Sequence, residues 1–397
     1  MDATGELGRM PLPHPGTTCI DRSLAVPRVT EVPHGDGEGW SRGTSTSRRW
    51  GNGRRRRRWR TRRVQIRKPA PSPAAVARPC GVLVHRRLSA VAKDAGLRSI
   101  DGAVRLPSAS NEVWKAGDVV VRISWSDDLE RVLREVMVLQ HLPASVPHPE
   151  VLGHGTTGGR TWTLTRWVPG DVAIGTWRSM SSANRDRFAR QLAHALVALH
   201  EWSPPAEVLE LVARRRSATT VDDLIGQDVN PLPIDRALAL VDEAKQAPHA
   251  DPAVIDAVAE RLRELRAFDL GGVGSTVIHG DLHLRNIVEV DSRLQTVLDF
   301  EWVRLGPPDL DLQAFLRAEA EAESADVITR LAEHYPSIVA HPRIVERLWL
   351  YDLACTLRDV IVCPATTAPA HLRSHDPLRR LPLIVESAAY IERLLGR

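Results

Sequence analysis

The stretch from residue 276 to 300 constrains this chain more than any other. Three short apolar runs, at 276–278, 287–290 and 296–300, are too brief for helices and read as strands. Between the first two lies His279-Gly280-Asp281-Leu282-His283-Leu284-Arg285-Asn286, a polar loop whose Asp and Asn stand five residues apart. The third run carries Asp299 in Val297-Leu298-Asp299-Phe300-Glu301, where the apolar pattern would otherwise enter a core. A carboxylate is costly to bury there without a counter-charge. Asp281, Asn286 and Asp299 can therefore face one point, and a positive ion is the natural partner.

Such a set suits phosphoryl transfer. One Asp can accept the proton of an attacking hydroxyl while an Asn and a second Asp hold magnesium. Asp281 is then the candidate base, and Asn286 and Asp299 are hard oxygen ligands for Mg2+ bridging phosphates. A lone loop Asp commonly caps its own backbone. Asn286 at +5 and Asp299 at +18 set this one apart. His279 is read as a structural histidine that bonds the backbone and fixes the loop, and His283 as a loop residue.

Upstream, the pattern alternates strands with one helix. Residues 103–106, 112–115 and 118–123 read as strands, with Gly117-Asp118 turning the last pair. Leu129, Val132, Leu133, Val136 and Leu139 give a helical stripe over 127–142, which Pro147-His148-Pro149 breaks. Residues 162–167 form a further strand. Beyond Gly170 the chain turns helical, with candidates at 189–200, 233–247, 252–268, 326–334, 342–362 and 382–395.

Residues 1–80 differ in texture. They carry 17 basic against 6 acidic residues, a surplus of 11, whereas residues 81–397 carry 36 against 43, a deficit of 7. Eight of the ten positions from Arg54 to Arg63 are Arg. A tract of this kind repels itself and stays solvated, so a disordered basic tail or a read-through from a misplaced start is expected. The sharper alternative is an electrostatic arm for nucleic acid or anionic lipid at 54–63.

Cys19, Cys80, Cys355 and Cys363 form no Cys-x-x-Cys pair, which argues against a disulfide scaffold or a structural zinc site. No run approaches the ~20 apolar residues of a membrane span. With charges and prolines where a signal peptide needs an apolar core, the expectation is a cytoplasmic protein.

The catalytic-type loop, then Leu298-Asp299-Phe300-Glu301-Trp302, then Gly306-Pro307-Pro308-Asp309-Leu310-Asp311-Leu312 resembles the aminoglycoside phosphotransferase and choline kinase superfamily. The similarity runs in order over about residues 100–360. It implies an α+β, two-lobed protein-kinase-like fold: a disordered tail at 1–80, a small β-rich N-lobe at 81–170 and a larger helical C-lobe at 171–397. The resemblance also implies ATP or GTP as phosphate donor, Mg2+, and a small-molecule hydroxyl as acceptor. Asp281 would be the base, Asn286 and Asp299 the metal ligands, and Asp311 a structural Asp tying down the loop; Asp309 is read as a surface or turn residue.

In the N-lobe, Ser108 and Ser110 lie in Ser108-Ala109-Ser110-Asn111, where the family has its phosphate-covering loop. Arg122 occupies the place of the usual phosphate-binding Lys, and Glu135 that of its helix partner. Arg for Lys replaces a point charge by a bidentate fork. The adenine would sit on the linker Arg166-Trp167-Val168. Pro307 departs from the acidic residue often found after the motif Gly, and Glu301 stands where protein kinases have Gly, which resembles small-molecule kinases instead.

Three functions follow from these features. The first is an ATP-dependent phosphotransferase, aminoglycoside-phosphotransferase-like or acting on choline-like amino alcohols. The body's negative charge suits a cationic acceptor, with Asp222, Asp223, Asp228, Glu319, Glu321 and Glu323 as candidate lining. The second is a nucleotide-binding pseudoenzyme with a scaffold role, and the third is nucleic-acid binding through the Arg tract.

Overall fold

The computed structural model describes residues 80–106, 108, 111–124, 129–213, 234–247, 250–319, 326–362 and 376–397. The Arg tract at 54–63, Ser110, the acidic residues 222, 223, 228, 321 and 323, and the side chain of Glu319 lie outside what it describes.

The N-lobe is a five-stranded antiparallel sheet. Its strands are β1 (Val104–Leu106), β2 (Asn111–Ala116), β3 (Val119–Ser124), β4 (Val151–Thr157) and β5 (Arg160–Arg166), in the order β1-β2-β3-β5-β4. In β3, alternation buries Val119, Val121 and Ile123 and turns Arg122 to the opposite face. Register pairs Arg122 with Val113 on β2 and Thr163 on β5, so it projects from a central strand.

Helix α1 (Cys80–Asp94) precedes the sheet, and its last residue anchors it: Asp94 accepts from Thr157 Oγ1 at 2.6 Å and Trp162 Nε1 at 3.1 Å. Helix α2 (Leu129–His141) buries Val132, Val136 and Leu139 at the expected spacing and presents Glu135 towards Arg122. The acidic pair expected at its start, Asp127 and Asp128, lies outside the described residues.

The C-lobe is helical. Helices α3 (Ser182–His200), α4 (Pro252–Leu265), α5 (Val327–His334), α6 (Ile344–Val362) and α7 (Pro377–Glu386) surround one continuous apolar core. The side chains of α6 alone include fully enclosed Leu348, Leu353, Ala354 and Leu357, each buried Leu worth about 1.5–3 kcal/mol. Ser181 and Asp251 cap α3 and α4 through the amides of Asn184 and Ala253.

Two expectations break here. Residues 233–247 form two short helices, Ile234–Ala239 and Val241–Gln246, rather than one. The last helical stretch starts earlier than expected, at the Asp376 cap, and divides into α7 and Ala389–Leu394 because Ser387 is extended.

Five short strands frame the polar loop. These are β6 (Asp171–Val172), β7 (Thr276–Ile278), β8 (Ile287–Val290), β9 (Arg293–Val297) and β10 (Arg304–Gly306). β7 pairs with β10 and β8 with both β6 and β9, all antiparallel. Asp291 and Ser292 turn the β8–β9 hairpin with φ of 53° and 59°. The strand expected at 296–300 stops at Val297, because Asp299 takes a left-handed conformation and Phe300–Trp302 winds into a 3-10 turn.

Among the described residues, no helix is long and apolar enough to cross a membrane.

Candidate active site

The loop from His279 to Asn286 leaves β7 and returns into β8, and its backbone is fastened at both ends. Asp311 does most of the fastening. Its Oδ2 accepts the His279 amide at 3.0 Å and its Oδ1 the Gly280 amide at 2.8 Å, while His200 Nε2 reaches Oδ2 at 3.0 Å. Burial would raise the Asp311 carboxyl, but the His200 hydrogen bond and charge, His279 and the Gly280 amide outweigh it and hold it below its usual range.

Gly280 has φ of 84°, and a Cβ there would stand 2.4 Å from the Trp302 carbonyl oxygen. Only glycine fits a left-handed turn pressed against backbone.

His279 is fully buried, and its two ring nitrogens work in opposite senses. Nε2 donates to the Leu298 carbonyl at 2.9 Å, and Nδ1 accepts the Asp281 amide at 3.3 Å. Burial holds this imidazole below its ordinary pKa, which agrees with a neutral ring serving as donor and acceptor. Its face also meets the Phe300 ring, centroids 4.7 Å apart.

The Leu298 amide in turn donates to the Asn286 carbonyl at 2.7 Å. Leu298 is thus held by both ends of the loop, and Asp299 follows it directly. Asn286 Nδ2 donates to the Asp281 carbonyl at 2.9 Å and stands 3.4 Å from its Oδ2. The Asp281 side chain is 37% exposed and His283 Nε2 lies 3.7 Å from its Oδ1. Burial pushes the His283 imidazole down to about 4, so it is neutral beside Asp281 at pH 7.

The N-lobe meets this loop through Arg122. Its Nη1 donates to Glu135 Oε1 at 2.6 Å and Oε2 at 2.8 Å; its Nη2 donates to Asp299 Oδ1 at 2.5 Å and Glu301 Oε2 at 2.6 Å. Three carboxylates converge on one guanidinium. Burial drives the Glu135 carboxyl up to about 7; Arg122 opposes this, while Asp299 and Glu301 add to it. Asp299 goes the other way, since the Arg122 charge and hydrogen bond overcome burial and hold it low.

The remaining nucleotide candidates are dispersed. Ser108 Oγ accepts the Asn111 amide at 3.3 Å, which caps the loop into β2. Arg166 is exposed and pairs with Glu150 at 2.7 Å and Asp118 at 3.0 Å. The amides of Arg166 and Trp167 donate to the Glu150 and Asp118 carbonyls, so neither is spare for a base. Trp167 is half-buried with Lys115 Nζ 4.8 Å from its ring, and Val168 is half-buried beside it.

Two groups depart from expectation. Asp309 is buried, not on the surface: Arg347 grips it with Nε at 2.5 Å and Nη2 at 2.8 Å, because the Pro308–Leu312 turn packs inward. Glu301, noted in the sequence only as a replacement for Gly, is a buried partner of Arg122. A separation of 179 positions explains why no local pattern disclosed it.

Comparison with known proteins bears on the fold and the family. Among curated proteins no significant sequence match is found. Solved structures share the fold. Aminoglycoside 2'-phosphotransferase-IIIa with GDP superposes with a TM-score of 0.55 at 17% identity, covering 77% of this chain and 97% of the other. A thermostable mutant of aminoglycoside phosphotransferase APH(4)-Ia, with ADP and hygromycin B, gives 0.52 at 17% identity over 75% and 96%. Residues 103–345 match the profile of the phosphotransferase enzyme family, well over half of the sequence, and the chain belongs to that family.

Proposed function

We propose that the chain transfers the γ-phosphoryl group of ATP or GTP to a hydroxyl of a small molecule. Asp281 accepts the hydroxyl proton, the freed oxygen attacks the γ-phosphorus, and the bond to the bridging oxygen breaks to release the nucleoside diphosphate. The transition state of such a transfer is loose, so positioning and charge stabilisation matter more than the strength of the base.

The observation that carries this reading is the double hold on Leu298. His279 takes its carbonyl at 2.9 Å and Asn286 its amide at 2.7 Å, which ties Asp299 to the loop bearing Asp281 and Asn286.

Arg122 serves the phosphates, steadied by Glu135, and cannot lose its charge near neutral pH. His279 stays neutral and keeps the loop in shape, and His283, held neutral by burial, adds no charge of its own beside Asp281. Asn286 and Asp299 are the proposed magnesium ligands. The donor set fits: the Asn286 amide nitrogen is fixed on Asp281, which turns its oxygen the other way, and the carboxylates of Asp299 and Glu301 against one guanidinium leave negative charge in excess. Magnesium would neutralise charge developing on the phosphates.

Ser108 and Ser110 remain proposed phosphate-loop residues. The base would rest by Trp167 and Val168, drawing on the Val168 amide because those of Arg166 and Trp167 are engaged. The surplus of acid in residues 81–397 favours a cationic acceptor. The relatives' complexes with kanamycin and hygromycin B put such polyols first in a substrate panel.

The test is a phosphorylation screen with ATP and GTP over aminoglycosides, macrolides, choline-like alcohols and sugars. Asp281→Asn should lower kcat by about 10²–10⁴-fold while nucleotide affinity is kept. Equal turnover in wild type and D281N would sink the enzymatic reading. Nucleotide binding with no turnover on any acceptor would instead favour a scaffold.

A further inference from the structure

Glu301 is the most enclosed of the three acids around Arg122. Its side chain is 1% exposed, against 6% for Glu135 and 29% for Asp299. Its Oε2 accepts from Arg122 Nη2 at 2.6 Å and from Asn111 Nδ2 at 3.0 Å. A residue on the turn after β9 therefore reaches both β2 and β3 of the N-lobe sheet. The proposed function employs Arg122, Glu135 and Asp299 but gives Glu301 no task.

We propose that Glu301 is a positioning residue for Arg122, and that Arg at 122 and Glu at 301 operate as a pair. The inference rests on the reading of Arg122 as a phosphate-binding residue. A lysine ammonium is a single point, so one carboxylate suffices to place it. A guanidinium is a planar fork, and both terminal nitrogens must be held before its plane is defined.

Glu135 spends both oxygens on Nη1 and leaves Nη2 unanchored. Asp299 touches Nη2 but is the more exposed acid and the proposed magnesium ligand, so its charge is shared once a metal–nucleotide complex binds. Glu301 is enclosed and is not among the proposed magnesium ligands. Asn111 fixes the same carboxylate oxygen from β2, which sets the angle at which Glu301 meets the fork. In this arrangement the Arg is not a weakened Lys; it is a different cation supplied with its own second carboxylate.

The test is a double-mutant cycle in the full chain, combining Glu301→Gln with Arg122→Lys. ADP affinity is measured by calorimetry with and without magnesium, and nucleotide KM and kcat with an accepted substrate. With Arg122 present, E301Q should weaken ADP binding about tenfold and raise KM more than it lowers kcat. In the Arg122→Lys background the same change should cost less than about twofold, since a lysine side chain has no second nitrogen to lose.

Equal losses in both backgrounds would overturn the pairing and point to a role of Glu301 towards metal or fold. No loss in either would reduce Glu301 to packing. Asn111→Ala keeps the Glu301 charge and removes its second hydrogen bond, so it carries the same comparison if E301Q proves too unstable to purify. A wild-type chain that bound no nucleotide would defeat the functional reading itself, whereas binding without coupling between 122 and 301 defeats only the pairing.

Discussion

Asp311 shows how much of the site depends on residues that never meet a substrate. It accepts two loop amides and one imidazole from inside the protein, so replacing it strands all three donors. Asp311→Asn keeps the shape but turns one acceptor into a donor against N–H groups. Breaking one side of a buried pair typically costs about 3 kcal/mol, and a loss of that order is expected in urea unfolding at pH 7.

The same residue sets part of the acid response. Asp311 is held below its unfolded value, so its contribution is complete above the ordinary carboxylate range and is lost as pH falls through the folded value. His279 is also held down, so its contribution is complete above about 6.5 and declines as pH drops below that. Wild-type stability should therefore fall in two stages on acidification, and D311N should show a smaller lower one, with the part due to Asp299 remaining. A wild-type stability flat from pH 7 to 4 would contradict the His279 assignment, and one with no further fall below the ordinary carboxylate range would contradict that of Asp311.

At this scale the sequence was informative where spacing is local. Asp281, Asn286 and Asp299 lie in one 19-residue window. The bond from Arg122 to Glu301 is invisible there because only the folded chain brings the two together.

Among the elements, β3 announced itself through three consecutive valines, whereas β4 did not. Val151-Leu152-Gly153-His154-Gly155-Thr156-Thr157 has glycines where a strand usually has branched residues, and so looks like a connection. Its partner strand supplies the reason. Gly155 pairs with Trp162, and a Cβ on Gly155 would stand 2.7 Å from the indole Cζ2 of that buried side chain. The glycine makes room for a tryptophan that Asp94 and Thr157 hold by its Nε1.

Gly155→Ala should therefore destabilise the fold by about 1–3 kcal/mol, although alanine is the better residue in an ordinary strand. Thermal unfolding checks the sign, and a raised Tm would refute the packing explanation. The strand expected to 300 failed for a related reason. Local apolarity favoured extension, but the site required Asp299 to turn back with φ of 67°. Non-glycine residues in that region are uncommon, and they gather where function compensates for strain.

The two lobes of the whole molecule meet at a charge cluster that is incomplete by its own arithmetic. Asp299 and Glu301 set two negative charges against the single positive charge of Arg122, and Glu135, its carboxyl pushed up to about 7, adds part of a third. Such an excess in a partly enclosed site favours a ligand that brings cations, and β3, α2 and the turn after β9 would all feel its arrival. Binding to the folded state alone stabilises by mass action, about 2.7 kcal/mol at a hundredfold excess over Kd. For a chain of this size that is roughly a 5 °C rise in Tm. Magnesium alone must compete with Arg122 for Asp299, and ADP alone adds negative charge to an acidic cluster, so each should give only a small shift. Together they should give the full rise. Asp299→Asn should remove the gain made by adding both, while leaving a chain that still unfolds cooperatively, since Asn tolerates the left-handed backbone at 299. Additive shifts from the two ligands, or a combined shift undiminished in D299N, would place the metal elsewhere in the molecule.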